Sequence, residues 1–217
     1  MTKKKNAVLS IAALALIALA LGLADTLMGR FAVRILNLSA IYIILALSLN
    51  LLNGFTGLFS LGHAGFMAVG AYVSALLTMS PAQKEMNFFL EPIAPFLLNL
   101  QLPFPLALLC AGLCAGLVAV AIGVPALRLR DDYLAIATLG FAEIIRVLIT
   151  NAQRLTNGAQ GLKGITKFST TPVVWSVAAL ATLFTWALTR SSYGRTMKAV
   201  RDDEIAAEAM GVDILKV

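Results

Sequence analysis

Long apolar runs separated by short polar segments dominate this chain of 217 residues. A helix needs roughly 20 apolar residues to cross a hydrocarbon core of about 30 Å. The runs that come near this length lie at residues 7–24, 35–52, 58–78, 104–127, 133–151 and 172–189. The pattern predicts an all-α, polytopic membrane protein with about six transmembrane helices, in which residues 1–189 form the transmembrane domain.

Composition supports this interpretation. Hydrophobic residues make up 59% of the chain and charged residues 13%, whereas soluble proteins have about 45–50% and about 25%. The chain therefore lacks the charged surface that an ordinary cytoplasmic enzyme needs, and it is too apolar for a disordered tail. The net charge of +6 forms no basic stripe, so we expect the partner to be the lipid bilayer and not a nucleic acid.

The distribution of positive charge predicts the orientation. Ten of the 17 Lys and Arg residues fall in the segments 1–6, 53–57, 128–132 and 190–217. Six fall in the segments 25–34, 79–103 and 152–171, which are longer in total. Because cations are enriched on the cytoplasmic side, both the N-terminus and the C-terminus are predicted to be cytoplasmic. Residues 1–24 could also be a cleaved signal peptide, and the downstream orientation would then be the same.

The segment 50–72 is rich in Gly, Asn, Thr and Ser for such an apolar region. Non-helical backbone is tolerated at membrane depth only where protein or water satisfies its polar groups. The segment therefore predicts a broken or re-entrant helix. The candidates for a substrate pathway or hinge are Asn50, Asn53, Ser60, His63 and Gly65. A packed histidine with bonded ring nitrogens is the alternative for His63.

Two further pairs of residues lie inside the predicted spans. Glu143 and Arg146 are three residues apart, which places them on one helix face and predicts an intramembrane ion pair. Both a structural and a translocation role are compatible with that pair. Cys110 and Cys114 lie one helical turn apart in an apolar run. A metal site needs about four ligands, so no metal site is expected there.

The chain changes character after residue 190. Residues 190–217 carry charges of both signs and cannot span a membrane. Asp202 or Asp203 can cap a helix N-terminus, and Gly211 suits the left-handed position that follows a helix. A short helix is therefore predicted at about 203–210. Such a helix could be a solvated face near the lipid surface or could fit a groove on a soluble partner.

Three blocks of sequence carry a resemblance to a known family. They are LNLLNGFTGLFSLGHAGFMAVGAY, VPALRLRDDYLAIATLGFAEIIRVL and YGRTMKAVRDDEIAAEAMGV. Together they resemble the membrane permease subunits of branched-chain amino acid ABC transporters, the LivM type. The resemblance implies an importer subunit of the bacterial inner membrane. It also implies a second permease subunit, two cytoplasmic ATPase subunits and a periplasmic substrate-binding protein as partners.

The last block resembles the cytoplasmic loop by which ABC importers dock on their ATPases. It implies a coupling segment within residues 190–217, with the coupling residues Arg201, Asp203, Glu204, Glu208 and Gly211. The family's chains continue past this loop with further membrane helices. The sequence therefore resembles the N-terminal part of a permease, as expected for a truncated reading frame, a fragment or a short subunit.

The sequence contains no G-x-x-x-x-G-K-[ST] nucleotide-binding loop. ATP is therefore expected to bind to partner chains, and this chain is predicted to be a transporter subunit without a cofactor and not an enzyme. Three alternatives remain at this point. They are a permease for urea or short amides, a non-transporting membrane scaffold, and an intramembrane enzyme, for which a catalytic constellation is lacking.

Overall fold

The computed structural model describes residues 22, 29–89, 91–127, 129 and 132–212. All regular secondary structure in these ranges is helical, which confirms the predicted fold class. The predicted span 7–24 lies outside the described residues, apart from residue 22. The longer helices are α1 (Arg30–Asn50), α2 (His63–Thr78), α5 (Phe104–Ala126), α6 (Asp132–Asn151), α8 (Thr171–Arg190) and α9 (Ser192–Asp202). The short ones are α3 (Pro81–Asn87), α4 (Pro95–Leu98), α7 (Gln153–Thr156) and α10 (Glu204–Ala209).

Four of the described helices are long and apolar enough to cross a membrane. They are α1 with its π-helical continuation Leu51–Thr56, α5, α6 and α8. Helix α2 is apolar but has only 16 residues, which corresponds to about 24 Å. Residues 57–62 are not helical, so only the part of the predicted span 58–78 from His63 onward forms a helix.

The chain divides into two compact units, one formed by Met1–Leu51 with Ser169–Ser191 and the other by Leu52–Phe168 with Ser192–Val217. In the first unit, α1 packs against α8. Ala40 of α1 is buried with Val174 and Ala178 of α8. Beside this cluster, Asn37 Nδ2 donates a hydrogen bond of 3.2 Å to Thr171 Oγ1.

In the second unit, α2 packs against α5 and α6. Small residues allow this close packing: a Cβ added at Gly65 would lie 3.1 Å from Ala142 Cα of α6. Away from α2, α5 exposes a row of leucines spaced by four residues, Leu109, Leu113 and Leu117. Such a row is typical of a helix face that contacts lipid.

The segments 79–103 and 152–168 of the second unit contact each other. Helix α3 begins with a capping box between Ser80 and Gln83, and Gln83 Nε2 also donates to Gly164 O at 3.0 Å. Lys84 is completely buried. Its Nζ donates to Leu97 O at 2.7 Å and to Leu100 O at 2.6 Å. Burial lowers the pKa of the Lys84 ammonium, because the charged form loses solvation.

Candidate functional site: the helix break and the cytoplasmic helices

The predicted interruption of the helix lies between Thr56 and His63. The π-helix ends at Thr56 and is followed by Gly57, whose φ of +75° is left-handed and favours glycine. Residues 57–62 then run without helical hydrogen bonds until α2 begins. We call residues 57–62 the helix break.

Side-chain oxygens accept hydrogen bonds from several amides of the helix break. Ser60 N donates to Asn53 Oδ1 at 3.4 Å, and Gly62 N donates to Ser60 Oγ at 3.4 Å. The shortest of these bonds runs from Leu61 N to Thr138 Oγ1 of α6, at 3.0 Å. Non-helical backbone in a membrane needs such partners, because lipid offers none.

Helix α6 also fixes the start of α2 sterically. A Cβ at Gly62 would lie 2.9 Å from Thr138 O, so only glycine fits here without movement of the backbone. A Cβ at Gly65 would lie 3.0 Å from Ile145 Cδ1. The break and the first turn of α2 are thus held against one face of α6.

The structure therefore brings together only part of the predicted pathway or hinge set. Asn53 of the π-helix accepts a hydrogen bond from Ser60 of the helix break, and Gly65 lies close to α6. His63 is the first residue of α2 and is half-buried. Asn50 belongs to the first unit, where it is exposed at the end of α1.

Helix α9 was not predicted from the sequence, which indicated only a segment with charges of both signs that cannot span a membrane. Its buried residues, Gly194, Met197 and Val200, recur at every third position. This spacing marks one face of a helix and could have indicated α9. Two basic residues of α9 approach the π-helix: Arg201 Nη1 donates to Gly54 O at 3.2 Å, and Lys198 Nζ lies 5.4 Å from the centroid of the Phe55 ring.

Helix α10 confirms the predicted short helix at about 203–210. Asp203 is the N-cap, and its Oδ1 accepts a hydrogen bond of 3.0 Å from Ala206 N. Gly211 follows the helix with a φ of +88°, and its amide donates to Glu208 O at 2.9 Å. Val212 N donates to Ala207 O at 3.1 Å, which completes a Schellman motif.

The outward surface of α10 carries both charge and apolar groups. Glu204 and Glu208 are exposed. Ile205 is 74% exposed and Met210 is 86% exposed. Both charged and apolar side chains of α10 are thus available to a partner.

Glu143 and Arg146 form the predicted ion pair in α6. Arg146 Nε donates to Glu143 Oε2 at 2.8 Å, and a second bond joins Nη2 to Oε1. Both side chains are more than half exposed on the surface of this chain. Within the part of the chain that the structure describes, no three His, Cys, Asp or Glu side chains gather in a way that could hold a metal ion.

Comparison with known proteins decides the family. The sequence model described as "Branched-chain amino acid transport system / permease component" matches residues 31–217. The chain belongs to this family. The matched range includes the helix break, α9 and α10.

Curated relatives of this permease-family chain point to the same type. It is 34% identical over 220 residues to the high-affinity branched-chain amino acid transport system permease protein LivM of Escherichia coli strain K12, a match that covers 86% of this chain and 47% of that protein. For LivM of Salmonella typhimurium strain LT2 the identity is 33%, with 88% and 48% covered. For a probable LivM of Methanocaldococcus jannaschii the identity is 26%, with 82% and 58% covered.

The chain thus spans about half the length of the first two of these relatives. No solved structure matches it significantly. Family membership agrees with the prediction of a multi-pass membrane transport component of the LivM type. It also agrees with the prediction of a transporter subunit rather than an enzyme.

Proposed function

We propose that this chain is a membrane subunit of an ABC importer for branched-chain amino acids, driven by ATP hydrolysis on partner chains. The observation that carries the proposal is α10, a helix capped at both ends that exposes Ile205 and Met210 within the range matched by the permease family. Such a helix suits docking into a groove of a soluble partner. The proposed partner is a cytoplasmic ATPase subunit, because the sequence has no nucleotide-binding loop of its own.

Contacts within the second unit support the proposed orientation. Segment 53–57 contacts Arg201 and Lys198, and all of these residues are assigned to the cytoplasmic side. Segment 79–103 contacts 152–168, and both are assigned to the other side. Every one of these contacts joins segments that the charge distribution assigns to the same side. The contacts therefore support the grouping of the segments, and the excess of Lys and Arg supports the proposal that one group is cytoplasmic.

The coupling residues have distinct proposed roles. Asp203 and Gly211 fix the two ends of α10, and the exposed Glu204 and Glu208 contact the ATPase. The proposed assembly also contains a second permease subunit, a second ATPase subunit and a periplasmic substrate-binding protein. No cofactor is proposed for this chain, because ATP binds to the ATPase subunits.

The hinge is proposed to be the helix break. Its amides are bonded to Asn53, Ser60 and Thr138, so it is a defined interruption that can rearrange without unfolding α2. ATP-driven movement of α10 would rock the helices around this break, and access to the pathway would alternate between the two sides.

The test is uptake by the complete transporter, with this chain produced together with its permease, ATPase and binding-protein partners. Gly211→Pro forbids the left-handed backbone and removes the bond to Glu208 O. It should abolish leucine uptake and weaken retention of the ATPase. Gly211→Asn is the matched control, because asparagine tolerates this conformation, and it should retain most of the uptake.

Charge reversal provides the second part of the test. Replacing both Glu204 and Glu208 by lysine should reduce uptake strongly, whereas Glu85→Lys, at an exposed site on α3, should not. Unchanged leucine uptake in Gly211→Pro and in the double reversal, at normal protein levels, would refute docking through α10. If the transporter takes up radiolabelled urea, and unlabelled urea but not unlabelled leucine inhibits this uptake, the chain is an amide permease instead.

A further inference from the structure

Arg201 contacts the π-helix that precedes the helix break and is therefore more than a surface charge. The resemblance grouped it with residues that face the ATPase, but its guanidinium reaches Gly54 of the π-helix. We propose that Arg201 is a positioning residue that latches α9 onto the π-helix and Gly57, so that movement of α10 is passed directly to the helix break. This inference rests on the proposed function of α10 in coupling.

The fit between Arg201 and Gly57 is close. A Cβ added at Gly57 would lie 2.7 Å from Arg201 Cγ and 3.5 Å from Arg201 Cα. The absence of a side chain at Gly57 therefore lets the stem of Arg201 lie directly on the backbone at the start of the helix break. From there the head group extends to Gly54, where Nη1 donates to the carbonyl oxygen at 3.2 Å.

Two neighbours on α9 orient this contact. Asp202 Oδ1 accepts from Arg201 Nη2 at 2.8 Å and from Nε at 3.1 Å, which leaves Nη1 for Gly54 O. Lys198 lies three residues before Arg201 and therefore on the same side of α9. Its Nζ is 5.4 Å from the centroid of the Phe55 ring, within the range of a cation–π interaction.

The contact of Arg201 with Gly54 connects α10 to the helix break. Helix α9 ends at Asp202 and α10 begins at Glu204, so only one residue separates them and a displacement of α10 must move the end of α9. On the other side, Gly54 directly follows Asn53, whose side chain holds Ser60. A displacement of Arg201 therefore acts on Gly54, one residue from the hydrogen bond between Asn53 Oδ1 and Ser60 N.

The test compares Arg201→Gln with Arg195→Gln, which removes the same charge from an exposed position of the same helix. Hydrogen exchange is measured by mass spectrometry on the full chain in nanodiscs, in peptides that cover residues 51–62. Arg201→Gln should raise exchange there roughly three- to tenfold, as expected for a partly exposed hydrogen bond to a charged group. Arg195→Gln should leave it unchanged.

In the assembled transporter, Arg201→Gln should still co-purify with the ATPase and hydrolyse ATP, while leucine uptake per ATP falls severalfold. Arg201→Lys keeps the charge but loses the planar fork, so exchange in residues 51–62 should be intermediate between wild type and Arg201→Gln. It is the second test variant in case Arg201→Gln folds poorly. Unchanged exchange at 51–62 in both variants, or loss of ATPase binding without a change in exchange, would overturn the latch. If wild-type protein shows no uptake, the proposed function fails, and the exchange measurement still decides the contact.

Discussion

Thr138 is the residue whose loss should damage the helix break most specifically. Its Oγ1 accepts the hydrogen bond of 3.0 Å from Leu61 N and donates to Ala135 O at 3.0 Å. Thr138→Val removes the hydroxyl but keeps nearly the same shape, so no cavity is created. The main effect of the variant is therefore that Leu61 N loses its hydrogen-bond acceptor.

The expected effect follows from the surroundings of that amide. Thr138 is buried, and Leu61 lies in the predicted third span, where lipid cannot replace the lost acceptor. The bond is only partly buried, and Leu61 is 45% exposed on the surface of this chain, so its loss should cost about 1 kcal/mol, the lower end for an unsatisfied buried N–H. Local opening of the break should therefore become about 5-fold more frequent, since each 1.4 kcal/mol corresponds to about a factor of ten.

The assay is hydrogen exchange in peptides that cover residues 57–62, with Thr150→Val as the matched control. Thr150 lies in the same helix, but its hydroxyl only donates to the carbonyls of Arg146 and Val147, so its removal strands no donor. Exchange should rise in Thr138→Val and stay within about twofold of wild type in Thr150→Val. Equal exchange in the two variants would refute the assignment of Thr138 as the acceptor that holds the break.

Three further predictions follow from packing and charge. Gly65→Ala should lower the free energy of unfolding in detergent by about 1–3 kcal/mol, because the added methyl group overpacks the contact with α6. Gly70→Ala is the control, because its Cβ would lie 3.9 Å from its nearest neighbour. It should be neutral or stabilising by up to about 1 kcal/mol. Lys84→Met should lower the melting temperature at neutral pH, because it removes the donor to Leu97 O and Leu100 O. Burial lowers the pKa of Lys84, so the unfolded chain binds this proton more tightly. Wild-type stability should therefore rise with pH up to the ordinary lysine value of about 10.4, whereas that of the variant should not. Glu143→Gln should reduce the yield of membrane-inserted protein more than the double variant Glu143→Gln/Arg146→Gln, because the single change leaves an unpaired cation in the span.

The sequence was sufficient for elements whose signal is local. Helices α5, α6 and α8 begin and end within one residue of the predicted spans, because an apolar run of membrane length has few other solutions. Helix α10 was predictable from its caps, although only the structure decides that Asp203 and not Asp202 is the N-cap. The pair Glu143 and Arg146 was predictable because three residues along one helix define its geometry.

Elements that depend on distant residues could not be predicted in the same way. The hydroxyl of Thr138 matters because of an amide 77 residues away in the chain. A π-helix differs from an α-helix only in a hydrogen-bond spacing that composition does not reveal. The role of Gly57 likewise depends on Arg201, which lies on a helix whose sparse apolar face gave a weak sequence signal.

The polar side chains near the break illustrate why polarity within a membrane segment does not by itself identify a substrate pathway. A residue that binds a passing substrate needs a polar atom that is available to it. Asn53 Oδ1 already accepts from Ser60 N, and Ser60 Oγ already accepts from Gly62 N, while Ser60 is buried. These oxygens replace the helical partners that the backbone loses at residues 57–62. Each of these oxygens holds an amide of the break, and Ser60 is also buried, so both contacts support the proposed hinge role of Asn53 and Ser60.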